Sequence, residues 1–229
     1  MQLSYAYPIL SLVLLSMAER GAAYRLYLEQ QAKEYIERVN ATYRGRVSSW
    51  GLTSTYAYWH QRHPPKEHPV KAEVDWISYS NCRERMYTEL RTTDCIGVFA
   101  WSASAGITCP FSLKEYTMLP VQYKGLPGRM VELELNGLNI TTKTLVWGDQ
   151  SNSKEAVFVA MCEFSAKIDF DGFFAYSVTN SKEHNFRFIA VNITELADET
   201  KGLEAKRGKL TYELMGAYRE LIWCSNNEK

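Results

Sequence analysis

Apolar and polar positions along this chain repeat with two different periods. From Tyr24 to Tyr43 the repeat is helical: Leu28, Ala32, Tyr35, Ile36 and Val39 share a face, with Glu29, Lys33, Glu37 and Arg38 opposite. Val47 to Trp59 alternates instead, which predicts a strand with Trp50, Leu52, Tyr56 and Tyr58 on one side. The prolines at 64, 65 and 69 then impose a loop over His60–Pro69. Val70 to Ser78 alternates again and predicts Val70, Ala72, Val74 and Trp76 inward, against Lys71, Glu73 and Asp75. Asn81 to Thr93 fits helix and strand equally. Cys95 to Trp101 reads as a short apolar strand, and Tyr116 to Tyr123 as a strand broken by Pro120.

Two dipeptides predict tight turns. Asn136-Gly137 lies between Val131–Leu135 and Leu138–Trp147, the signature of a two-residue hairpin whose central residues need positive φ. That register pairs Leu135 with Leu138 and Leu133 with Ile140, and leaves Glu132, Glu134 and Asn139 in solvent. Asp171-Gly172 predicts a second hairpin, with Phe170 opposite Phe173 and Asp169 opposite Phe174. A longer turn over Asn180–Asn185 leads to a strand from Phe186 to Ile193. Lys201 to Trp223 predicts a closing helix, since Leu203, Leu210, Leu214, Ala217, Tyr218 and Leu221 are spaced by about three, four and seven; Gly208 and Gly216 weaken it. The expected fold class is therefore α+β. It has an N-terminal helix, a meandering, mostly antiparallel sheet closed into a barrel or curled around a helix, and a C-terminal helix.

The N-terminus sets the compartment and the domain layout. Tyr7 to Ala18 is an uncharged apolar run, too short for the roughly 20 residues of a membrane-spanning helix, and Gly21 and Ala23 supply small residues before a cleavage point. Residues 1–23 thus read as a signal peptide and 24–229 as one α+β domain, secreted and without a stable membrane span. No Lys or Arg precedes the apolar run, which departs from the usual signal-peptide pattern. Three sequons, at Asn40, Asn139 and Asn192, suit an exported glycoprotein. All five cysteines, Cys82, Cys95, Cys109, Cys162 and Cys224, lie beyond the cleavage point, and none forms a C-x-x-C pair. Export predicts two disulfide bonds among them and one leftover thiol, with the connectivity open.

Composition narrows the function by exclusion. The 229 residues carry 26 basic and 26 acidic side chains, so the surplus positive charge that drives nucleic-acid binding is missing. No phosphate-cradling glycine loop, nucleophile elbow, zinc-protease helix or calcium loop is present, and no motif calls for a cofactor. Glu132 and Glu134 sit two apart on a solvent face and read as surface. The one cluster with ligand chemistry is His60, His63 and His68, imidazoles that suit zinc on a loop whose prolines prevent a regular array. Aromatics are abundant, with six Trp, 15 Tyr and nine Phe. They serve either a sheet core or an interaction surface. The leading expectation is a secreted, non-catalytic binding protein acting through a protein–protein surface. The alternatives are a lipocalin-like carrier of a small hydrophobic ligand, and a metal-dependent protein using the histidine loop.

Overall fold

The computed structural model describes residues 24–42, 46–87, 94–121, 128, 130–136, 141–147, 154–180 and 185–225. The signal-peptide segment 1–23, Gly137, the Asn139 sequon and the tip of the Asn180–Asn185 turn lie outside these residues.

Four long strands dominate: β3 (Lys71–Met86), β4 (Cys95–Thr108), β8 (Lys154–Asp171) and β12 (Lys209–Ser225). At about 3.3 Å per residue, the 18 residues of β8 run to roughly 60 Å. They lie antiparallel in the order β4-β12-β8-β3. β1 (Tyr24–Tyr27) pairs parallel with β4 at Ala105–Thr108, and β7 (Thr141–Trp147) pairs antiparallel with β4 at Cys95–Trp101. β11 (Leu203–Lys206) forms a short hairpin with β12. A second sheet of three strands has β9 (Phe173–Asn180) between β2 (Val47–Gly51) and β10 (Asn185–Asn192). β5 (Lys114–Met118) and β6 (Met130–Glu134) form a separate two-stranded hairpin. The long sheet is open: β3 has one neighbour, β8, and its other side is unpaired among the described residues.

The fold is thus mostly β, with one α-helix among the described residues, and the α+β expectation is overturned. Tyr24–Tyr27, read as the start of the predicted helix, is strand β1, whereas α1 (Leu28–Thr42) forms within the rest of that stretch, burying Leu28, Ala32 and Ile36. Its edge-on Tyr35–Phe174 contact, centroids 5.5 Å apart, holds it beside β9. The predicted closing helix does not exist. Lys201–Trp223 instead contains β11, a tight turn at Arg207-Gly208 with φ of 51° and 80°, and most of β12. Two central residues at positive φ match the twist of a two-residue hairpin, so the glycine that weakened the helix is a turn residue. Leu210, Tyr212, Leu214, Tyr218, Ile222 and Cys224 are buried with a period of two. Gly216 occupies an inward position where a Cβ would lie 2.1 Å from the Ser102 carbonyl oxygen. No barrel closes among the described residues, so the barrel expected from the sequence is not found there.

The two predicted hairpins are also corrected. Phe170 pairs with Leu210 on one side and Ala72 on the other, not with Phe173. Gly172 does have positive φ, 112°, but there the chain passes from the long sheet into the small one. A Cβ at Gly172 would lie 2.8 Å from the carbonyl oxygens of His68 and Pro69, so the crossing needs glycine for space as well as conformation. At the other site, β6 pairs with β5 and β7 with β4. The Asn136 side chain is spent on a distant loop: it accepts from Cys109 N–H at 3.0 Å and donates to the Cys109 and Phe111 carbonyls at 2.8 Å. Val131, Leu133 and Leu135 are buried as expected. The predicted turn from β9 to β10 does join antiparallel neighbours.

Candidate functional site

Among the described residues β3 pairs on one side only, and a bulge turns its tryptophan outward. The ladder with β8 slips by a residue between Val74 and Trp76 and again between Ser80 and Arg83. After the first slip Ile77 and Tyr79 take the inward positions. Trp76, predicted to be core, pairs opposite Lys167 and is 38% exposed. Ser80 through Met86 are all exposed.

The β5–β6 hairpin lies against the inward side of β3. Thr117, buried in β5, shares a hydrogen bond with the Tyr79 hydroxyl at 3.2 Å, and Trp101 Nε1 donates to the same hydroxyl at 3.0 Å. Burial pushes the Tyr79 hydroxyl pKa up, so it stays a neutral donor and acceptor across the physiological range. The alternation of the hairpin buries Val131 and Leu133 and leaves Tyr116, Met118 and Met130 outside at 59%, 48% and 60% exposure. Glu132 accepts from the Tyr116 hydroxyl at 3.0 Å and pairs with Lys114 at 3.2 Å, which fixes the outer row of the hairpin.

A groove of about 470 Å³ runs between the two elements, lined by Trp76, Ile77, Tyr116, Met118, Pro120 and Met130. Asp75 and Glu115 also border it. Such a surface combines three things an extended partner segment needs: unpaired backbone along β3, an aromatic anchor, and deformable methionines that adapt to the partner's side chains.

The deeply shifted ionisable groups lie elsewhere. Glu220 is 2% exposed, accepts from the Tyr218 hydroxyl at 2.9 Å, and is pushed up to about 7, first by burial and also by the charge of Glu84. Burial pushes the Cys109 thiol up to about 11, which suppresses its nucleophilic thiolate.

The predicted site residues are dispersed. The His63 ring lies against Trp59 and Tyr58, with centroids 5.2 and 6.0 Å away, whereas His68 Nε2 is 3.7 Å from Asp171. His60 ends the short 3₁₀ turn Ala57–His60. No three His, Cys, Asp or Glu side chains are grouped to hold a metal ion among the described residues. Asn40 accepts from Val47 N–H at 3.0 Å, and Asn192 accepts from the amide and hydroxyl of Thr194, its own sequon partner. The cysteines do pair as expected in number: Cys82–Cys162 and Cys95–Cys224 are disulfides and Cys109 is the buried leftover thiol. The groove was missed because Trp76 was assigned to the core by an alternation that the bulge interrupts.

No helix among the described residues is long and apolar enough to cross a membrane. No family model matches the sequence, and no curated protein matches it. Solved structures do. A non-toxic crystal protein from Bacillus thuringiensis is 12% identical, with a TM-score of 0.46 over 87% of this chain and 94% of that one. The Cry23Aa1 and Cry37Aa1 binary protein complex gives 10% identity and a TM-score of 0.42, over 86% and 85%. The beta-pore-forming protein Mpp75Aa1.1 from Brevibacillus laterosporus gives 10% and 0.26, over 77% and 67%.

Proposed function

We propose that this chain is an exported, non-catalytic binding protein whose working surface is the unpaired side of β3 together with the groove beside it. The observation that carries the reading is the exposure of Trp76, Tyr116, Met118 and Met130 around one concavity beside a strand whose backbone has no partner on that side among the described residues. Large apolar side chains gathered in this way mark interaction sites, while scattered ones do not. Two disulfides support export, since such bonds persist in oxidising compartments. The non-catalytic part rests on two observations: the strongly raised Glu220 and Cys109 are buried in the core, and the shifted groups at the groove, Asp75 and Tyr116, are engaged with Lys167 and Glu132.

The test uses an extended peptide selected from a random display library against the folded chain. Its affinity should fall about tenfold or more on Trp76→Ala and on Met130→Ala, as expected of anchors in a desolvated pocket. Met161→Ala, at an exposed methionine on β8, should leave it unchanged. Equal affinities for all three variants would remove the groove as the binding surface.

A further inference from the structure

The charges along β3 have an order that the groove alone does not require. Glu73 and Asp75 lie six and four positions before Tyr79, and Arg83 and Arg85 lie four and six positions after it. All four are exposed, and all belong to the strand whose outer side is unpaired among the described residues. Asp75 also meets Lys167 at 2.8 Å on the β8 side, an ion pair in which its carboxylate remains half exposed.

We infer that β3 pairs antiparallel with β3 of a second copy of this chain, about a twofold axis at Tyr79. The inference rests on the reading that this side of β3 is an interaction surface, and it names the occupant. A twofold places each residue opposite the one equally far on the other side of the axis. Glu73 then meets the second copy's Arg85 and Asp75 its Arg83, and the symmetry repeats both pairs. Lys71 falls opposite Tyr87 and Glu84 opposite Val74, so no like charges face each other. A parallel arrangement in register would set acid against acid and base against base. The chain's zero net charge adds no long-range repulsion between copies.

Light scattering on a sizing column, across a concentration series at low salt, reads the assembly directly. The wild-type chain should be a dimer whose dissociation constant rises with salt. Arg83→Glu with Arg85→Glu should weaken it about tenfold or more, and Glu73→Arg with Asp75→Arg should do the same. The chain carrying all four substitutions should regain the dimer, and the two double variants mixed together should form a mixed dimer. Recovery by the fourfold variant excludes misfolding as the cause of the losses. A wild-type monomer throughout the series, or a dimer indifferent to both double variants, overturns the pairing. A monomer that still binds the selected peptide through Trp76 would leave the groove standing and remove only the second copy.

Discussion

β12 and β3 flank β8 on opposite sides and are nearly equal in length, 17 and 16 residues. β12 has neighbours on both sides, and its inward row from Leu210 to Cys224 is sealed. β3 has one neighbour among the described residues, two bulges and an exposed half from Ser80 to Met86. The two strands share a sheet but not a task. In the centre, each residue is constrained by backbone on both flanks and by the layer below it. At the edge those constraints lapse, and an exposed tryptophan and paired blocks of charge are tolerated.

The sharpest way to break the comparison is to add the same side chain to both strands. Gly216→Val on β12 puts atoms where the Ser102 carbonyl and the Phe164 ring already lie, and should cost about 4 kcal/mol or prevent folding. Ser78→Val on the exposed side of β3 should change stability by less than about 0.5 kcal/mol. Similar urea midpoints for the two would mean that centre and edge are not constrained differently.

The second expected effect is a pH dependence that belongs to β12. Glu220 is raised from 4.5 to about 7 in the folded chain, so within that window the native state holds a proton that the unfolded chain has released. Stability should therefore fall as pH rises from about 4.5 to 7 and level off above, by about 3 kcal/mol in all. Glu220→Gln should flatten this slope when unfolding is measured at a series of pH values. A variant with the slope of the wild type would show that Glu220 ionises in the core as it does in water.

The smallest effect sharpens the boundary between the two strands. Tyr79 belongs to β3 yet reaches the core, where its hydroxyl accepts from Trp101 and meets Thr117. Tyr79→Phe strands the buried indole N–H and should cost about 1–2 kcal/mol in a urea melt. No loss would place that hydroxyl with the edge rather than the centre.

The same contrast explains what was legible in the sequence. The α1 stripe and the antiparallel pairing of β9 with β10 are local patterns: the pairing is present, and the helix is present from Leu28 onward. β12 was misread as helix because two of its inward positions carry no apolar side chain. Gly216 is bare because a neighbouring strand fills its space, and Glu220 is a polar side chain whose carboxyl is satisfied by the Tyr218 hydroxyl. With both removed from the alternation, the remaining leucines fall by coincidence on helical spacings. Asn136 and Gly172 were rightly singled out, but what they do depends on chain segments far away in sequence, Cys109–Phe111 and His68–Pro69. The candidate groove depends on the slip in the β3 ladder, which no single-strand periodicity encodes.

The two disulfides divide the long sheet in a way that its hydrogen bonds do not. Cys82–Cys162 ties β3 to β8, and Cys95–Cys224 ties β4 to β12. The long strands are therefore two covalently stapled pairs, and the seam between them, β8 against β12, has no disulfide among the described residues and is held by its ladder, by side-chain packing and by the contacts of Asp169 with Thr211 and Lys209. Under mechanical load an oxidised chain has one line along which these four strands part, and it lies through the middle of the sheet.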